Sequence, residues 1–155
     1  MAMNWWLGLI LSFFSTLAFC MLFNVPIRTL LASGFAGSFG WIIFNLLTGN
    51  GITITLATFL AATGVSLCSQ LLSVYLRVPS TNFSVAGIIP LVPGTIAYRA
   101  MLSFVNGDDL AGVTLATRTS LLAGAIASGL ILGISIFSVW KGIVARYAGT
   151  REKTY

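Results

Sequence analysis

Apolar residues fill this chain in runs of about twenty or more, separated by short polar or proline-containing breaks. The first run, about 4–23, carries Trp5 and Trp6 near its start, where interfacial aromatics anchor a membrane helix. Asn24-Val25-Pro26 ends it, and Arg28 follows in a very short turn. The second run, about 27–48, stops at the tight turn Gly49-Asn50-Gly51. The third, about 52–76, is closed by Arg77 and Pro79, and the fourth covers 83–105. After the polar turn Asn106-Gly107-Asp108-Asp109 comes the fifth, about 110–140. It exceeds the roughly 20 residues that a crossing requires, which predicts a tilted or projecting helix. Lys141, Arg146, Arg151 and Lys153 then make a basic tail over 141–155. The pattern predicts an all-α integral membrane protein, one domain over 1–155 with five transmembrane spans.

The fourth run differs from the rest. Pro90 and Pro93-Gly94 interrupt its middle, and Arg99 lies beyond the interruption. Each proline removes a helix donor and clashes with the preceding turn, so two of them three residues apart break the helix. Gly94 is expected to relieve the backbone on the far side. A broken span survives in lipid only against protein or a water-filled cavity. Half-helices meeting at membrane depth beside a charge are a sequence pointer to a transporter's binding site.

Small residues recur at helical spacing along the other spans. Ser33, Gly37 and Gly40 share one face of the second, where Ala36 and Gly40 make a further pair. In the third, Ala57, Ala61, Gly64 and Cys68 form a packing face, and Ala125, Gly129 and Gly133 do so in the fifth. Thr63, Ser66, Gln70 and Ser73 form a polar stripe on another side of the third span. Thr63, Ser66 and Gln70 are candidates to line a hydrophilic path. The alternative is that the hydroxyls bond their own helix carbonyls and Gln70 bridges to a neighbour.

Composition agrees with the pattern. The chain is 57% hydrophobic and 7% charged, with no histidine, against about 25% charged residues in a soluble domain. Its net charge of +5 arises from too few scattered groups to make a nucleic-acid face. Cys20 and Cys68 lie inside apolar runs and read as packing residues, not as a disulfide or metal site. The first run has no basic n-region and no small-x-small cleavage site, and the bulky Phe19 before Cys20 does not suit a lipoprotein signal. It is expected to be retained.

Charge also sets an orientation. With five crossings, Arg28, Arg77 and the tail fall on one side, and the opposite turns hold no Lys or Arg. The positive-inside rule then places the amino terminus out and the carboxyl terminus in. Arg99 and Arg118 remain within spans that contain no Asp or Glu. A charge there faces a bundle interior, a cavity or a partner. It can also snorkel, here toward Asp108 and Asp109. Facing a path, the guanidiniums would grip a carboxylate in bidentate fashion. The half-helix starting at Gly94-Thr95 would add free N–H groups and its positive dipole end.

Certain motifs resemble those of a known family. Phe23-Asn24-Val25-Pro26 with Arg28, Gly37 with Gly40-Trp41, Pro79, Thr81 and Phe83 are similar to the threonine/serine exporter (ThrE-like) family. The most specific run is Ile88-Ile89-Pro90-Leu91-Val92-Pro93-Gly94 followed by Tyr98. The resemblance is to the small five-helix subunit matching the carboxyl-terminal half of fused exporters, and it covers nearly the whole chain. It implies export of small carboxylate solutes, threonine and serine or dicarboxylates such as succinate, from the cytoplasmic (inner) membrane. It also implies a larger five-span partner subunit, related to this one as an inverted repeat. A departure is that only Arg77 precedes Pro79, where the family leads one to expect more basic residues.

The candidate solute-binding residues are thus Pro90, Pro93, Gly94, Thr95, Tyr98, Arg99 and Arg118, with no cofactor and no metal expected. Without histidine or an intramembrane acid, acid–base or metal catalysis has too few participants, so no enzymatic activity is expected. The competing readings are an assembly subunit and a small oligomeric channel. The first needs neither the double-proline break nor two arginines; the second would more naturally show a ring of like residues.

Overall fold

The computed structural model describes residues 5–151, with side chains described through Val144. Every regular element among them is helical: α1 (Trp5–Leu22), α2 (Ile27–Gly49), α3 (Ile54–Leu76), α4 (Thr81–Gly87), a 3-10 turn (Ile89–Leu91), α5 (Gly94–Val105) and α6 (Asp109–Arg151). Four of these, α1, α2, α3 and α6, are long and apolar enough to cross a membrane. The fourth predicted span is a bent pair, with α4 and the 3-10 turn set at 56° to α5. The chain therefore has four to five candidate spans.

The last helix differs from its prediction at the far end. It does not stop at Trp140 but continues through Lys141 to Arg151, because no proline interrupts that stretch. Within the predicted tail, the side chains of Arg146 and Arg151, and Lys153 altogether, lie outside the described residues. At its start α6 is capped by Asp108, whose Oδ1 accepts a hydrogen bond from the Ala111 amide at 3.1 Å. The other turns use left-handed backbone: Asn24 (φ 52°), Gly51 (φ 81°), Arg77 (φ 55°) and Gly107 (φ 78°). Arg77 carries a side chain in a conformation that suits glycine. It is held there as the C-cap of α3, its amide donating to the Ser73 carbonyl.

The α3–α6 contact is the most extensive in the molecule. A Cβ on Gly129 would stand 2.5 Å from the Phe59 carbonyl oxygen, and one on Gly133 would stand 2.5 Å from Ser66 Cβ. Ser66 Oγ–H crosses the interface to donate to the Leu130 carbonyl at 2.9 Å. Phe59 thus pairs with Gly129 and Ser66 with Gly133, so the two helices run in the same direction. Elsewhere the small faces serve as expected. Thr16 occupies the space over Gly37, Val65 and Leu91 that over Gly40, and Ile43 that over Gly64. Ala61, Ala62, Leu91 and Ile126 meet in the buried core.

That layer also measures how far each helix extends. Ile54 starts α3 about seven residues before Ala61, roughly 11 Å of helix, whereas Asp109 starts α6 about seventeen before Ile126, roughly 25 Å. The first turns of α6 therefore project past the end of α3. There they pack against α5, with Phe104 closing over Gly112.

Gly129→Ala should lower the melting temperature of the purified protein, since its new methyl meets backbone and the two helices must part, at about 1–3 kcal/mol. Gly124→Ala, with nothing within 4 Å of the added carbon, should leave it unchanged. Equal melting of the two variants, followed by size-exclusion fluorescence on a temperature series, would refute this account of the interface.

Candidate functional site

The break is built from a firmly held half and a free half. Phe83 is fully buried, and Ala86 and Gly87 are buried where α4 ends on α2 and α3. A Cβ on Gly87 would lie 2.6 Å from the Val65 side chain, so only glycine lets α4 end this close. Pro90 sits in the 3-10 turn, where its missing amide removes no α-helical bond. Leu91 plugs into the core layer with Ala61, Ala62 and Ile126. Val92 is then extended (φ −64°, ψ 126°), and Pro93 precedes α5 as its N-cap residue.

No side chain caps α5. The Gly94 amide turns back to the Val92 carbonyl at 2.8 Å, and the first bond of the new helix is from the Ala97 amide to the Pro93 carbonyl at 3.1 Å. The amides of Thr95 and Ile96, between them, belong to the unsatisfied first turn. Gly94 does not act through backbone freedom, because its φ is not positive. Its contribution is open space: nothing lies within 4 Å of where a Cβ would stand.

The remaining candidates lie on the projecting α5–α6 hairpin. Thr95 and Arg99 are both exposed and, four residues apart, share one flank of α5. Tyr98 is also exposed, on a neighbouring flank nearer to Gly94. Arg118, on α6, is exposed. It stands about eight residues before Ile126, or roughly 12 Å, which puts it level with the start of α3. Arg99 lies five residues before Phe104 and Arg118 six after Gly112, the pair in contact, so the two arginines have nearly the same height. They sit at the rim of the bundle and not at its centre.

The polar stripe of α3 is divided. Thr63 and Ser66 are buried against α6, Thr63 donating to the Phe59 carbonyl at 2.9 Å and Ser66 to Leu130. Both hydroxyls are occupied at the helix interface. Gln70 is half-buried further along, and Ser73 Oγ–H donates to the Val78 carbonyl at 2.6 Å in the following turn.

At the end bearing Arg28 and Arg77, the structure shows a cavity of about 230 Å³ between the end of α1 and the start of α4. Phe19, Phe23 and Val25 line one side, and Thr81, Asn82 and Ile89 the other. It joins two motif segments, Phe23-Asn24-Val25-Pro26 and Pro79 to Phe83, that lie far apart in sequence. Thr81 was legible only as a motif member and Asn82 not at all, because nothing in the sequence shows which helix ends meet.

The chain therefore combines apolar spans, one broken helix with an uncapped amino end, and two arginines at one height. No solved structure matches the chain. The family model described as Threonine/Serine exporter, ThrE, matches residues 8–136, a stretch that includes the break, both arginines and the α3–α6 interface. The chain belongs to the threonine/serine exporter family and is a multi-pass membrane protein of that exporter type.

Proposed function

We propose that this chain is one membrane subunit of a two-component secondary exporter of small carboxylate solutes, threonine and serine or dicarboxylates such as succinate. The observation that carries this reading is the uncapped start of α5 with Arg99 one turn along on the flank of Thr95. Free amides at a helix start favour a carboxylate through hydrogen bonds and the helix dipole. A guanidinium adds a two-pronged, permanently charged grip. Arg118, level with Arg99 on the adjacent helix, supplies a second positive charge at the same mouth. The cavity at the opposite end, with Thr81 and Asn82, serves as the entrance, and the solute moves between the two ends along the broken helix.

Five crossings, with the amino terminus out and the carboxyl terminus in, are supported by the parallel course of α3 and α6. Two helices running the same way must be joined by a connection that returns across the membrane, and the bent α4–α5 pair is the only connection between them. Arg28, Arg77 and Lys141 then fall together at the inner end, in the cytoplasmic membrane, as the positive-inside rule requires. The partner is the larger five-span subunit. None of the four long helices buries more than 39% of its most apolar window, which leaves extensive surface for it. A five-span half of opposite orientation completes an inverted-repeat carrier. The purified chain alone in liposomes is expected not to export, and solute-specific efflux without a partner would refute the two-component reading.

Arg99→Gln should lower export at least tenfold with assembly intact, and Arg99→Lys should weaken it less, since the charge survives without the fork geometry. Pro90→Ala combined with Pro93→Ala should let α4 run into α5 and cover the free amides, with a similar loss. Efflux from cells carrying each variant with its partner, normalised to membrane-inserted complex, decides both. Parental export by Arg99→Gln would move the site elsewhere.

Proton coupling can be placed by a second experiment. The membrane core of this chain has no Asp, Glu or His, and arginine stays charged at working pH. Asp108→Asn with Asp109→Asn should leave proton dependence intact, the titrating group then belonging to the partner. Because Asn caps helices as well as Asp does, the change removes charge without unwinding α6. Loss of proton dependence would place the coupling in this chain.

A further inference from the structure

The cavity between the end of α1 and the start of α4 has a chemistry unlike that of the arginine-bearing rim. Phe19 and Phe23, stacked with ring centroids 5.9 Å apart, make an apolar wall, and Ile89 faces the same space. Two neutral polar side chains, Thr81 and Asn82, share it with them. Among the described residues, no Lys, Arg, Asp or Glu lines the cavity. Ser84, the other hydroxyl of α4, donates to the Ser80 carbonyl at 3.1 Å and takes no part in the lining. At about 230 Å³ the space is smaller than the roughly 300–1,000 Å³ of drug-sized sites. It suits one small solute.

Arg28 and Arg77 stand at the same end but outside the lining, and both are exposed. From there they draw anions of any shape toward the mouth. The choice between solutes falls to the cavity itself. A solute held at the mouth by one carboxylate must put its other groups among Phe19, Phe23, Thr81 and Asn82. An ammonium finds acceptors there, Asn82 Oδ1 and Thr81 Oγ, in charge-assisted hydrogen bonds. A second carboxylate finds only the neutral Nδ2 and Oγ donors and no cation. A charge left unpaired in apolar surroundings is expensive. A net-neutral zwitterion therefore enters at lower cost than a dianion.

We propose that Asn82, assisted by Thr81, is a specificity-determining residue of the exporter, taking the ammonium of an amino acid and turning back a dicarboxylate. This rests on the exporter reading and narrows its solute. It places discrimination at the inner cavity and not at Arg99 and Arg118, which grip any carboxylate alike.

Inside-out vesicles from cells carrying the chain with its partner present this end to the medium. Uptake of labelled threonine, serine and succinate then reads the choice, and parental vesicles should prefer the two amino acids. Asn82→Leu, close in size, should raise KM for threonine about tenfold with kcat little changed, the scale of one hydrogen bond to a charged group. Asn82→Lys should reverse the preference toward succinate, because the second carboxylate then meets a cation. A merely structural role would lower uptake of all three solutes together and give no reversal. Occupancy is read without transport in a chain with Cys20→Ala and Cys68→Ala. There Val85→Cys puts a thiol on an exposed part of the cavity wall, and threonine should slow its reaction with maleimide while succinate does not. Parental preference for succinate, unchanged selectivity in both Asn82 variants, or equal protection by the two solutes would overturn the proposal and leave the exporter reading standing. Absence of uptake of all three solutes by parental vesicles would overturn both.

Discussion

The parallel contact between α3 and α6 is the constraint on which the rest of the fold depends. Inside a bilayer, lipid is as apolar as the helices, so association comes from close packing and the occasional interhelical hydrogen bond. Gly129 and Gly133 bring the α6 backbone onto that of α3, and Ser66 ties the pair at one point. Once those two helices run the same way, the segment joining them must return the full distance. An unbroken helix could do so. This segment does it with a seven-residue α4, a 3-10 turn and a twelve-residue α5, which places uncapped backbone where most membrane proteins have none.

The break is stable because its two halves are secured differently. α4 is held by the close approach of Gly87 to Val65 and by the wholly buried Phe83. Leu91 anchors the turn in the same layer that aligns α3 with α6. α5, by contrast, has one substantial neighbour, α6, and Ala100 is its one buried residue. Rigid on one side and lightly held on the other, the break has the construction expected of a hinge element.

Much of this was legible in the sequence, and the gaps have physical causes. The broken span was readable because proline acts locally: its effect on the helix needs no knowledge of neighbours. The small-residue faces were readable because helical spacing is fixed, and Ala125, Gly129 and Gly133 do pack as one face. Hydroxyl roles were not readable. Thr63 and Ser66 have the same chemistry whether they line water or meet a helix, and only the position of α6 distinguishes the two. Gly94 misled in another way: a glycine after proline suggests unusual backbone, but here the missing side chain matters. Asp108 looked like part of a polar turn, and its capping bond depends on where α6 begins.

The heights of Arg99 and Arg118 change what their charge means. At the centre of a bilayer an arginine is costly enough that retaining it argues for function, and that cost falls toward the edges. Sequence places both within hydrophobic runs, yet the overlong α6 carries them to the level where α3 starts. Their presence is therefore weaker evidence for a site than run length suggests. Their arrangement is stronger evidence. A snorkelling arginine needs only its own helix and the interface, whereas Arg99 shares a flank with Thr95 one turn from amides that no side chain caps. Charge alone would be satisfied by water at that rim; charge beside unused donors is satisfied best by an anion with two oxygens.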